Sequence, residues 1–201
     1  MRRTMLVVGF PLAAALLAAV TVSCGTASPT ATPSVERIGG TTVHYRGPAI
    51  DAVVSYRFAS LNEGMDWLFL DVALSGNTRI SVEVKRDEIS VRIPSGEVVP
   101  LATQTEFGQA YAKNAAALAR ADVASEPLDY YPGRRPKGLD FVVAPGSGIS
   151  LLAAWVNDLD VAFGRLAFFL PGGVQKGPYE LRIDLPESKV RIPFRLGEAS
   201  R

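Results

Sequence analysis

The sequence predicts an all-β domain: a mainly antiparallel β-sandwich with one inserted helix and one long loop. Three observations predict this fold. Apolar and polar residues alternate with a period of two in about ten short runs, which is the pattern of half-buried strands. Turn-forming residues separate the runs at intervals of about eight to twelve residues, a spacing typical of sandwiches. Few helical segments lie between the runs, so antiparallel pairing is expected.

The last two runs predict a β-hairpin. From Tyr179 to Leu185 every second residue is apolar or aromatic, and the residues between them are Glu, Arg and Asp. After the turn at 186–188, the alternation resumes and continues to Leu196. Because Pro193 cannot donate a backbone hydrogen bond, the final strand is expected at the edge of a sheet.

The same alternation predicts the other strands. Trp67–Leu74 is nearly all apolar, which indicates a central strand with both faces covered. The remaining predicted strands are Ile50–Ala59, Arg79–Val84, Glu88–Ile93, Glu97–Leu101, Leu139–Ala144, Ile149–Val156 and Val161–Leu170.

One segment has helical rather than strand periodicity. Thr103 and Glu106 match a capping box, and an alanine-rich run follows to about Ala124. Phe107, Tyr111, Ala115 and Leu118 fall along one stripe of this predicted helix. The next residues, Ser125–Gly138, are rich in Pro and Gly and predict a long loop.

The residues of the C-terminal strands resemble a known family. The stretches GRLAFFLPGG (164–173) and GPYEL (177–181) resemble the last strands of bacterial immunoglobulin-like extracytoplasmic domains, many of which have unknown function. The resemblance implies an immunoglobulin-like β-sandwich. The chain has one cysteine, so the disulfide of antibody domains cannot form.

The N-terminus has the features of a secretory signal peptide, predicted over residues 1–23. Arg2 and Arg3 precede an uncharged apolar run, Met5–Val22. A run of this length could also span a bilayer, but no basic stop-transfer cluster follows it. The quartet Thr21-Val22-Ser23-Cys24 resembles the lipobox of bacterial lipoproteins. That resemblance implies cleavage before Cys24 and an acylated group, with fatty acids such as palmitate, joined to its sulfur by a thioether.

The predicted mature chain is a tethered domain of the cell envelope. Residues 24–35, the acylated Cys24 and an uncharged Ser, Thr, Ala and Pro segment, are expected to form a flexible tether that holds the domain off the membrane. A single domain is predicted over residues 36–198. The resemblance to lipoproteins implies that it faces the periplasm or the exterior. With Gly25 rather than Asp after the cysteine, the same resemblance favours the outer membrane if the bacterium has two membranes.

Charge argues against a nucleic-acid partner. Arg2 and Arg3 leave with the signal peptide, so the 21 basic residues become 19, against 20 acidic ones. Proteins that bind nucleic acids usually carry a strong basic excess, which this chain lacks.

Catalytic and metal-binding motifs are weak, so we predict no catalytic residue, no cofactor and no metal. His44 is the one histidine, in a segment that reads as a strand near the surface, and no Gly-x-Ser-x-Gly elbow accompanies it. Asn157, Asp158 and Asp160 could offer oxygen ligands to calcium, but a plain Asx turn explains them equally well. An envelope hydrolase that uses carboxylates, or a Ser with His44, remains an alternative function.

The long loop holds the candidate binding residues, which are Tyr130, Tyr131, Arg134, Arg135 and Lys137. Tyr and Arg are over-represented at binding hot spots. The alternative is that the tyrosines pack the loop onto the sheet while the basic groups stay in water. We therefore predict a non-enzymatic binding or interaction module, whose partner is an envelope protein or a surface ligand. A structural or assembly lipoprotein with a large flat contact is the other alternative.

Overall fold

The computed structural model describes residues 32–125 and 128–197, so the predicted signal peptide and Cys24 lie outside the described residues. Twelve strands and two α-helices form within these ranges. In chain order they are β1 Ser34–Ile38, β2 Thr42–Arg46, β3 Ile50–Ser55, α1 Arg57–Leu61, β4 Trp67–Gly76, β5 Val82–Lys85, β6 Ile89–Arg92, β7 Val98–Pro100, α2 Gln104–Ala124, β8 Arg135–Gly138, β9 Ala153–Val156, β10 Asp160–Phe169, β11 Gly177–Asp184 and β12 Lys189–Leu196.

The strands form three sheets. The largest has the order β1-β2-β3-β4-β10-β8, the second β12-β11-β6-β7, and the third pairs β5 with β9. Every pair is antiparallel except β8 with β10. The predicted β-rich, mainly antiparallel fold is therefore confirmed. Residues from the six-stranded and four-stranded sheets form one hydrophobic cluster, so these two sheets share a core.

The C-terminal hairpin is confirmed. Strands β11 and β12 pair in the register Tyr179 with Phe194 and Ile183 with Val190, and these side chains are buried. Strand β12, with Pro193, is an edge strand, as expected for a residue that lacks a backbone donor.

Strand β4 lies centrally in the six-stranded sheet, between β3 and β10. Its alternate side chains enter different clusters, because successive residues of a strand point to opposite faces. Leu68, Leu70, Val72 and Leu74 join the shared core, whereas Trp67 and Phe69 pack on the opposite face. This double burial explains why the strand is apolar almost throughout.

The predicted helix forms as α2 and begins with the expected capping box. The Glu106 backbone N–H donates to the Thr103 hydroxyl at 3.1 Å, and the Thr103 N–H donates to the Glu106 carboxylate at 2.8 Å. Phe107 and Leu118 are buried against Trp67 and Phe69 of β4. The predicted stripe is wrong at Ala115, which is exposed. The buried alanines of this helix are Ala117 and Ala121.

Several predicted strands are wrong in part. Helix α1 replaces the last residues of the predicted strand Ile50–Ala59, so the fold contains a second helix. Residues 139–144 form no strand, although Leu139 and Phe141 are buried in the core. Strands β5 and β9 cover only the ends of their predicted ranges. Strand β1 begins inside the predicted tether, and β8 lies inside the predicted long loop.

No helix in the described ranges combines the length and apolar character that a membrane crossing requires.

Candidate functional site

The candidate site lies on the outer face of the six-stranded sheet, the face turned away from the four-stranded sheet. In one row across this sheet, His44 of β2 pairs with Val53 of β3, Val53 with Ala73 of β4, and Ala73 with Phe163 of β10. Residues 128–138, which we call the 128–138 segment, cover this row. Helix α2 covers the other end of the same face through Trp67 and its neighbours.

A tight turn directs the 128–138 segment onto the sheet. The Arg134 N–H donates to the Tyr131 carbonyl at 3.2 Å across Pro132 and Gly133. Proline at the second position and glycine at the third suit a type II turn, and Gly133 has the positive φ of 78° that this turn requires. The Tyr131 side chain is buried in a cluster that includes Val53, Ala73, Leu128 and Val161.

Arg134 holds the turn against the sheet. Its guanidinium carbon lies 4.9 Å from the centre of the Tyr131 ring, within the range of a cation–π contact. The same guanidinium donates to the hydroxyl of Ser75 and, at 3.3 Å, to the carbonyl of Gly76. The side chain is therefore committed to packing the segment, so we expect its replacement to loosen the turn.

Asp160 organises the remaining basic residues. Its side chain is 2% exposed and forms ion pairs with Arg135 at 2.9 Å and with Lys137 at 2.5 Å. Both partners lie on β8, which runs parallel to β10 in the register Asp160 with Arg135. The hydrogen bond from Lys137, together with the charge of Arg135, holds the pKa of Asp160 below its ordinary value. Strand β8 thus carries two cations whose positions are fixed by one buried carboxylate.

His44 is buried beneath this segment. Only 7% of the residue is exposed, and its ring lies 6.2 Å from Tyr130 and 6.0 Å from Tyr131 between ring centres. The buried Nε2 atom of His44 and the buried hydroxyl of Tyr131 lack hydrogen-bond partners among the described residues. Desolvation lowers the pKa of His44, and the charge of Arg46 lowers it further.

The lowered pKa of His44 predicts a pH-dependent stability. The unfolded chain takes up the proton at a higher pH than the folded chain, so the stabilising contribution is complete above the ordinary pKa of 6.5. It is lost as the pH falls through the folded pKa. We expect the free energy of unfolding to fall as the pH drops from about 7 to about 5, and to fall less in His44→Leu. Urea denaturation of both proteins at several pH values gives the slope of the free energy of unfolding against pH. Equal slopes would contradict the prediction.

The structure separates the five predicted binding residues. Tyr131 is buried, Tyr130 and Arg134 are half-buried, and Arg135 and Lys137 are exposed on β8. Sequence reasoning missed the contribution of Asp160, because its carboxylate is close in space to the basic residues but distant in sequence. It also placed His44 near the surface, which is wrong because the 128–138 segment buries it.

A second polar cluster, also missed from the sequence, lies beside the 128–138 segment. Arg165 of β10 binds Asp71 of β4 at 2.8 Å and Asp122 of α2 at 2.7 Å. Arg165 lines two clefts. One, of about 370 Å³, is also lined by Leu128 and Phe163, and the other, of about 210 Å³, lies against α2. The ion pairs join the helix to the sheet.

The turn at 157–160 has the geometry of an Asx turn. The Leu159 N–H donates to the side-chain oxygen of Asn157 at 2.9 Å, and Asp158 pairs with Arg79 at 3.3 Å. Across residues 32–125 and 128–197, His, Cys, Asp and Glu form no group of three or more that could hold a metal ion.

Comparison of the chain with protein-family models, with curated proteins and with solved structures finds no match.

Proposed function

We propose that the chain is a membrane-anchored extracytoplasmic lipoprotein whose domain serves as a non-enzymatic binding module of the cell envelope. The observation that carries this proposal is the position of the chain's one cysteine. Cys24 directly follows an uncharged apolar run, and the first strand, β1, begins ten residues later at Ser34. This spacing is that of a cleaved signal, a lipid anchor and a short tether.

The immunoglobulin-like character of the domain is part of the same proposal. Two mainly antiparallel sheets that share a core support it. The additions to such a sandwich are the helix α2, the 128–138 segment and the small sheet of β5 and β9.

Within this domain, we assign partner binding to the exposed edge formed by β8. Arg135 is 70% and Lys137 is 48% exposed at the side chain, and both are held by Asp160. Two fixed cations beside one carboxylate leave the edge positively charged. Such preorganised donors suit a carboxylate or phosphate group of an envelope partner, because little side-chain entropy is lost on binding.

The hydrolase alternative receives no support from the position of His44. A general base must reach its substrate, and solvent reaches only 7% of this residue.

A crosslinked pull-down from membranes with the intact lipoprotein tests the binding proposal. Arg135→Gln removes one exposed cation and leaves Lys137 paired with Asp160, so the buried carboxylate keeps a partner. We expect capture of the partner to weaken about tenfold, as for an interface hot spot, with little change in Tm.

Arg92→Gln is the matched control, because Arg92 is exposed on β6 of the other sheet. Capture in this variant should equal that of the parent. Unchanged capture by Arg135→Gln would contradict the assignment of binding to β8.

A further inference from the structure

Several large apolar side chains of the domain are exposed, and three of them lie close together. Eleven large apolar side chains are exposed among the described residues, and six of them belong to Ile80 and the segment 149–159. Ile80 is 79%, Trp155 55% and Leu159 40% exposed. The other three, which are Ile149, Leu151 and Leu152, precede β9 at its end farther from residue 157, where the Arg86 N–H donates to the Leu152 carbonyl at 2.9 Å.

Backbone and side-chain contacts bring Ile80, Trp155 and Leu159 to one end of the six-stranded sheet. The Asp158 N–H donates to the Thr78 carbonyl at 2.9 Å, and Asn157 donates to Ser81 at 3.2 Å. These bonds join the loop 77–81 to the turn 157–159. Trp155 lies in β9, two residues before this turn, opposite Glu83. We call these two loops with Trp155 the apolar end.

The chain enters the domain at the same end of the sheet. Ser34, the first residue of β1, lies in a row with Arg46, Asp51 and Ser75. Gly76, the next residue, donates to the Asn157 carbonyl at 3.1 Å. Three strand spacings separate Ser34 from Ser75, which is about 14 Å. The apolar end therefore lies close to the point where the tether joins the domain.

The tether is short enough to bring this end to a bilayer. The ten residues from Cys24 to Ser34 span at most about 35 Å when extended. As a flexible coil they would span about 17 Å on average. An anchored chain also meets its own membrane at a high effective concentration, so a small apolar patch suffices for docking.

We propose that the apolar end docks on the bilayer that holds the Cys24 anchor, with Trp155 at the lipid interface. This inference rests on the proposed lipoprotein function. Indole rings favour the interface between lipid and water. Arg79 and Asp158 pair at this end, so their charges largely cancel and docking does not require anionic lipid. This docking differs from the expectation that the tether holds the domain off the membrane: the tether limits how far the domain can move, and the apolar end keeps the domain at the surface.

Tryptophan quenching tests the docking. The lipidated mature protein is placed in phosphatidylcholine vesicles with and without bromine on the acyl chains, and vesicle flotation is measured in parallel. Bromolipid should quench the parent emission but leave Trp155→Phe nearly unquenched, because the remaining Trp67 is buried. Ile80→Ser combined with Leu159→Ser should reduce the quenching at least about twofold. Leu61→Ser is the control, since Leu61 is 69% exposed on α1, beyond the far end of β3.

The two proposals fail differently in this experiment. A chain that does not float with the vesicles overturns the anchor and the docking together. A chain that floats, but whose emission bromolipid does not quench, overturns the docking alone. Equal loss of quenching in Leu61→Ser would also overturn it, because the contact would then not belong to the apolar end.

Discussion

Ile183→Asp is expected to destabilise the domain severely. Ile183 is fully buried in β11, between β6 and β12, and its side chain belongs to the core shared by the two large sheets. The change removes a buried apolar side chain and places a carboxylate where no cation faces it in the described core. We expect a loss of at least about 4 kcal/mol, a large part of the stability of a domain of this size. Urea denaturation followed by circular dichroism measures it.

Ile183→Val is the matched control, because it removes one methylene group without adding charge. It should cost about 1 kcal/mol and leave the folded spectrum unchanged. An Ile183→Asp protein as stable as the parent would show that this face of β11 is not part of the core.

Where neighbouring residues determine an element, as in α2 and in the hairpin of β11 and β12, the sequence predicted it well. The capping box of Thr103 and Glu106 lies within one helical turn, so neighbouring residues suffice to start α2. The hairpin of β11 and β12 joins adjacent strands, and its alternation directly reflects one buried face.

Elements that depend on distant contacts could not be predicted in this way. Leu139 and Phe141 are buried and separated by one residue, as in a strand. Their backbone, however, makes isolated hydrogen bonds instead of a strand ladder, such as the one that the Leu139 N–H donates to the Phe163 carbonyl at 2.7 Å. Strand β8 has Pro and Gly in its short sequence and forms because Asp160 and β10 hold it. His44 is buried by a segment far away in the sequence.

The candidate site, like the fold, could be predicted from the sequence only in part. Composition alone selected the tyrosines and basic residues of the 128–138 segment. It could not separate Tyr131 and Arg134, which pack the segment, from Arg135 and Lys137, which remain exposed. That division depends on Ser75, Gly76 and Asp160, whose contacts cross between strands.

Cys24→Ser is expected to abolish attachment of the lipid anchor. The thiol of Cys24 is the only one in the chain, so its removal leaves no sulfur to acylate. Labelling by a fatty-acid probe should fall to background, and the protein should accumulate as an uncleaved precursor or a soluble form. Cys24→Ser combined with Ser28→Cys is the control, because it keeps one thiol but moves it out of the predicted lipobox. This variant should also remain unlabelled.

The mass of the N-terminal peptide of the mature protein tests the central claim most directly. The account predicts a peptide that begins at Cys24 and carries the added mass of the lipid anchor. A chain that retains residues 1–23, or a mature N-terminus with an unmodified Cys24, would contradict it.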